Sequence, residues 1–228
     1  MKSLKLLSVL LDYPRVSAHD HGDELRAAVA ALELSQERRD GVSSLVERLL
    51  RQDLLAAQED WLALFDRGRA MSLLLFEHIH GESRDRGQAM VDLVETYRKH
   101  GFDISMKELP DYLPLVLEFL STRPREEVID WLKHISHIME LLAARAQERE
   151  SDYAAVFESL VEIAQGEVDL GLMRRRVATE ARDDTPEAMD KVWEEEAVRF
   201  GVEAPSEDCA PPRRLPAGAV RIDEKVMP

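Results

Sequence analysis

P-R-E-E-V-I-D-W-L-K-H-I-S-H-I-M-E-L-L, residues 124–142, carries the reading that decides the fold. Val128, Trp131, Leu132, Ile135, Ile138, Met139 and Leu142 recur at spacings of three and four, the period that lays apolar side chains along one face of a helix. Pro124 stands in front of that stripe, where a residue lacking an N–H removes no hydrogen bond the helix needs. Strand-like alternation is absent here and along the rest of the chain.

The same period continues in both directions. Downstream, Ser151 opens a stripe of Tyr153, Val156, Phe157, Leu160, Val161 and Ala164, closed by Gly166. Thr185-Pro186-Glu187 then forms a helix start, with a hydroxyl cap, proline in first position and an acid at the positive dipole end, leading to Met189, Val192, Trp193 and Phe200. Upstream, Pro110 or Asp111 starts a helix with Leu115, Val116, Phe119 and Leu120 facing inward. Met90, Leu93, Val94 and Tyr97 form another stripe, and Gly101 is placed to end it in the left-handed region. Residues 72–80 read as a short apolar helix, Leu73-Leu74-Leu75-Phe76, stopped by Gly81. Ser3, Ser35 and Asp53 cap three further helices nearer the start, and Pro14 ends the first of them.

The expectation is an all-α, single-domain helical bundle over residues 1–201. Residues 202–228 hold five of the chain's 10 prolines and no amphipathic stripe, and read as a disordered tail. No internal repeat is present.

Composition narrows function by exclusion. Among 228 residues Cys209 is the one cysteine, so no intramolecular disulfide or thiolate cage can form, and a reducing, cytoplasmic setting fits. No run nears the roughly 18 consecutive apolar residues of a membrane span. The formal net charge of −15 and a pI near 4.9 disfavour nucleic acid and favour a basic polypeptide partner, or simply keep the protein soluble.

Residues 65–87, F-D-R-G-R-A-M-S-L-L-L-F-E-H-I-H-G-E-S-R-D-R-G, crowd ionisable groups beside an apolar helix. One reading is a polar network in which Arg67, Arg69, Arg84 and Arg86 pair with Asp66, Glu77, Glu82 and Asp85. A rival is a metal-dependent enzyme using His78, His80 and Glu82, although a two-residue histidine spacing directs the imidazoles to different helix faces. No nucleophile elbow or phosphate-binding glycine loop is present, and a non-enzyme is expected. In residues 108–114, E-L-P-D-Y-L-P, Leu109, Tyr112 and Leu115 supply apolar grip while Glu108, Asp111 and Glu118 supply negative charge. The set suits either a groove for a basic amphipathic helix or a plain helix–loop–helix corner. On the groove reading, Asp111→Lys weakens the guest and spares the fold.

At these motifs the chain resembles the assembly chaperones of respiratory nitrate reductase, a branch of the TorD/DmsD-like redox enzyme maturation proteins. The resemblance rests on L-L-D-Y-P (10–14), F-D-R-G-R-A (65–70), S-L-L-L-F-E-H-I-H-G-E-S-R-D-R-G-Q-A-M (72–90), E-L-P-D-Y-L-P (108–114) and E-A-R-D-D-T-P (180–186). It implies a helical chaperone fold and a cytoplasmic, catalytically inactive protein. Such a protein binds the basic N-terminal segment of the nitrate reductase catalytic subunit and leaves before the enzyme is finished. A structural subunit of the oxidoreductase complex is the alternative. The molybdenum cofactor and iron–sulfur clusters would belong to the client, with proteins that make the molybdenum cofactor as further partners. Where related chaperones carry Pro-Asp-His this chain has Pro110-Asp111-Tyr112, so Pro110 and Asp111 carry over and Tyr112 stands as a substitute apolar contact. The expected client-binding residues are Arg67, Arg69, His78, Glu82, Arg84, Glu108, Leu109, Pro110, Asp111, Tyr112, Leu115 and Glu118.

Overall fold

A computed structural model describes residues 1–79, 84–105, 108–165 and 170–196. The expected 202–228 tail, Gly81, Gly166 and Cys209 lie outside them, as do the side chains of Val192, Trp193 and Phe200. The described helices are α1 (Lys2–Leu11), α2 (Gly22–Ala30), α3 (Gln36–Arg51), α4 (Leu54–Phe65), α5 (Leu75–Ile79), α6 (Arg84–Lys99), α7 (Leu113–Ser121), α8 (Arg125–Glu148), α9 (Ala154–Ile163), α10 (Leu170–Val177) and α11 (Pro186–Glu196). Short 3₁₀ turns at Ala18–His21 and Arg69–Met71 join them. The all-α expectation holds among the described residues, where one isolated antiparallel bridge, Leu74 with Tyr112, is the sole extended pairing.

The stripe of residues 128–142 is the spine of the bundle. Val128, Leu132, Ile138, Met139 and Leu142 are at most 1% exposed. They pack α8 against α9, while α1 lies along α7 and α3 bridges α2 to α9. Burying each such side chain contributes about 1.5–3 kcal/mol, which is why this amphipathic pattern overrides the weaker local preferences of its neighbours.

Local signals end these helices where their chemistry dictates. Ser35 accepts from Arg38 N, Asp53 from Ala56 N at 2.8 Å and Thr185 from Ala188 N at 3.2 Å, so three expected caps form. Gly101 takes φ +68° after α6, and Phe102 N donates to Tyr97 O at 3.0 Å while Gly101 N donates to Arg98 O at 3.0 Å. That double bond is the Schellman closure, sealed by the Phe102 and Tyr97 rings at 5.6 Å. Ser3 does not cap α1, which begins at Lys2 and buries Ser3 within its first turn. The helix after Pro110 begins only at Leu113, because residues 110–112 are held by α5 and α6 instead.

The largest departure concerns residues 72–74. They are not helical. Leu113 N donates to Leu73 O at 2.8 Å and Leu75 N donates to Asp111 O at 3.0 Å, so the segment runs extended beside 111–113 and only Leu75–Ile79 coils. A short apolar run has the same composition in a buried strand as in a buried helix, and tertiary pairing decides between them.

Candidate functional site

Asp111 is the hinge of this region. It is fully buried, and its Oδ2 accepts from Phe76 N at 3.1 Å while its carbonyl accepts from Leu75 N, so the residue ties the first turn of α5 to the loop. Its Oδ1 is buried with no hydrogen-bond partner among the described residues. Desolvation raises the carboxyl's pKa above the ordinary aspartate value, opposed by the Phe76 N–H and the Arg86 charge. Immediately behind it, Tyr97 donates its hydroxyl to Pro110 O at 2.7 Å. Tyr112 turns the other way and donates to Asp12 Oδ1 at 3.0 Å, joining the 108–114 motif to the 10–14 motif.

These positions correct the expected acidic rim. Asp111 and Pro110 lie in the interior, and Leu115 is 9% exposed. Glu118 pairs with Lys5 on the α1 side, and Glu108 accepts from Ser105 N at 3.2 Å. Leu109 alone among the apolar three projects outward, at 47% exposure. Glu108, Asp111 and Glu118 therefore do not edge one groove, and Asp111 offers no surface on which a guest could be spared or lost by charge reversal.

The polar network of residues 65–87 is also built differently. Arg86 approaches Glu77 at 3.8 Å as expected. Arg67 is exposed with no ion pair among the described residues, and Arg69 begins the 3₁₀ turn at the surface. Glu82, His80 and the side chains of Arg84 and Asp85 lie outside the described residues. What anchors the 65–70 motif is the 180–186 motif, clasped through α8. Asp183 Oδ2 accepts from Ala70 N at 2.6 Å, Arg145 Nη1 donates to Ala70 O at 2.7 Å and Arg145 Nε reaches Glu180 at 2.9 Å. Arg149, 8% exposed, donates to Asp183 at 2.8 Å and stands 3.6 Å from Asp184. His78 is held by Ser72 O at 2.8 Å, and burial lowers its pKa, opposed by that backbone contact. Among the described residues no group of three potential metal ligands comes together.

The cleft that these restraints shape lies between α5, α6 and α8. Leu75, Phe76, Ile79, Leu93, Trp131 and Ile135 line a space of about 580 Å³, with Glu127, Asp130 and His134 along the α8 edge. Ile79 is 46% exposed and Trp131 half-buried, so apolar surface faces solvent on both walls. Glu127 is held bidentately by Arg123, whereas the Asp130 carboxylate has no partner among the described residues. The cleft can bury an apolar side-chain row and meet one positive charge with Asp130. Trp131 and Ile135 were visible in the sequence as a core stripe. That part of the stripe is left uncovered is a fact of three-dimensional arrangement with no local signal.

Comparison with known proteins places this architecture. The nitrate reductase delta subunit family model matches residues 31–159. The chain is 48% identical to the nitrate reductase molybdenum cofactor assembly chaperone NarJ of Escherichia coli K12 over 201 residues, covering 88% of this chain and 85% of that one. It is 43% identical to NarW of the same organism over 202 residues, covering 88% and 84%. A crystal structure from Archaeoglobus fulgidus, described as a redox enzyme maturation protein, superposes with a TM-score of 0.50 at 22% identity over 73% of this chain and 94% of that one, a likeness of fold. The resemblance carried by the five motifs is thus borne out over most of the chain's length, and the chain belongs to the nitrate reductase delta subunit family.

Proposed function

We propose that this chain is an assembly chaperone of nitrate reductase that receives the N-terminal segment of the catalytic subunit in the α5–α6–α8 cleft. The observation that carries the proposal is an apolar cleft, open to solvent, at whose edge the Asp130 carboxylate has no partner among the described residues. Its relatives NarJ and NarW are named as molybdenum cofactor assembly chaperones of nitrate reductase. A basic amphipathic segment complements such a cleft: its apolar face supplies affinity, and attraction to a chain of net charge −15 speeds the encounter. Asp111 and the 72–74 pairing act as positioning elements that fix α5 as one wall. The molybdenum cofactor and iron–sulfur clusters are cargo of the client, the chaperone works in the cytoplasm without catalysing a reaction, and it departs when the client is complete.

Calorimetric titration of the client's N-terminal peptide tests this. Ile79→Asp is expected to weaken binding at least tenfold, since about 1.4 kcal/mol of lost apolar burial suffices. Asp130→Lys is expected to weaken it about threefold to tenfold and to flatten its salt dependence. Both positions are solvent-accessible, so melting temperatures should not move. Wild-type affinity in both variants would reject the cleft.

A further inference from the structure

Among the described residues that line the α5–α6–α8 cleft, Glu127 and Asp130 are acidic and none is lysine or arginine. Arg123 neutralises Glu127, which leaves the Asp130 carboxylate to whatever enters. An occupant therefore needs apolar side chains beside a cation.

The chain carries such a segment itself. Residues 211–228 lie outside the described residues, and their sequence is P-P-R-R-L-P-A-G-A-V-R-I-D-E-K-V-M-P. In a chain of net charge −15 this stretch has the opposite sign, since Arg213, Arg214, Arg221 and Lys225 outnumber Asp223 and Glu224. Residues 219–227 hold no proline or glycine. Within them Ile222 and Val226 stand four apart, as do Arg221 and Lys225, so a turn of helix there would set an apolar pair beside a basic pair.

The distance is not prohibitive. The 180–186 motif is clasped at Arg145 and Arg149, at one end of α8, and α11 follows it to Glu196. The cleft uses residues 127–135 of the same helix, whose 24 residues span about 36 Å at 1.5 Å per residue. About 25 residues separate Glu196 from Arg221, and a connection of that length reaches up to roughly 80 Å when extended.

We infer that residues 219–227 occupy the α5–α6–α8 cleft in the absence of client, with a cation of Arg221 or Lys225 on Asp130, and that the client must displace them. This rests on the reading of the cleft as the client's site. A tethered competitor acts at an effective concentration of up to about 1 mM, so an intrinsic Kd of about 0.1–0.5 mM weakens the client's apparent affinity roughly threefold to tenfold. Weak basic peptides are thereby turned away, because each has to outcompete a resident segment.

Two measurements on the full chain test it. In the first, a photo-crosslinking side chain at Ile79 is activated without client, and attachment maps to residues 219–227 at a yield that dilution does not change. Excess client N-terminal peptide suppresses it. In the second, calorimetry shows that Arg221→Glu combined with Lys225→Glu tightens client-peptide binding threefold to tenfold, whereas Arg221→Lys with Lys225→Arg keeps the wild-type value. The inference is overturned if the charge-reversed chain binds the client peptide no more tightly than the wild type. It is also overturned if Ile79 attaches to the client peptide but never to residues 211–228, a result that leaves the cleft reading standing. Attachment to residues 219–227 that fades on dilution would show a second copy as the occupant and overturn it as well. Failure of the client peptide to attach at Ile79 strikes the cleft reading itself, and the competition with it.

Discussion

Asp111→Lys is expected to cost roughly 3–5 kcal/mol of folding stability, because it places an unpaired charge where no water reaches. Domains of this kind are stable by only about 5–15 kcal/mol, so the variant should melt far below the wild type or fail to fold. The side chain it replaces is fully buried, accepts from Phe76 N and faces Tyr97 and Phe76 rather than solvent. Asp111→Asn keeps an acceptor for that N–H and should lose about 1 kcal/mol or less. The two variants separate in pH dependence too. Burial raises the carboxyl's folded-state pKa, so the unfolded chain sheds this proton first. The neutral form's contribution is therefore complete below the ordinary aspartate pKa and declines as pH climbs through the raised value. Denaturant melts across that window should show the decline in the wild type and its absence in Asp111→Asn. A wild-type melting temperature for Asp111→Lys would contradict the burial on which α5's position depends.

The second large effect is expected at Arg149. Arg149→Ala removes the cation that holds Asp183 at 2.8 Å and stands beside Asp184, at a site 8% exposed, and should cost roughly 3 kcal/mol. Asp183 in turn grips Ala70 N, and a Cβ on Gly68 would meet its carboxylate at 2.5 Å. Glycine is needed there for close approach, since the backbone at Gly68 is extended. Gly68→Ala should loosen the same clasp with Arg149 intact, and the double variant should lose less than the sum, because both break one contact set. Asp184 adds an acid-side signature. Its pKa is lowered mainly by its hydrogen bonds with Arg182 and further by Arg149. Its stabilisation is present above the ordinary aspartate pKa and lost as pH falls through the depressed value. Arg149→Ala should reduce that acid-side loss, which guanidinium melts carried from neutral pH to well below the ordinary aspartate pKa would read. Additive losses in the double variant would show two separate structures in place of one clasp.

The helices and their caps were legible because their determinants are local. Ser35, Asp53, Thr185 and Gly101 act within four residues of themselves, and the stripe from Val128 to Leu142 needs only its own period. What escaped was set at long range. Leu73 and Leu74 share their apolar character with any helix, and only the bond from Leu113 N shows them extended. Asp111 looks in sequence like a surface acid beside proline, yet the orphan N–H of Phe76 draws it inward. The same distance problem hid the clasp, which joins Gly68 to Asp183 across the chain. A cleft is surface that nothing covers, and no residue pattern announces missing cover. Hence the motifs of the family resemblance include Ile79 but not Trp131 or Asp130, and the cleft these three line emerges only from their arrangement.

The central claim is that the α5–α6–α8 cleft holds the N-terminal segment of the client. It is tested most directly by placing a photo-crosslinking side chain at Ile79, and separately at Val9, and mapping the attachment of the catalytic subunit's N-terminal peptide. The account predicts efficient crosslinking from Ile79 that excess unlabelled peptide abolishes, with little from Val9. Crosslinking from Val9 alone would place the client along α1, where Val9 is 54% exposed, and contradict it.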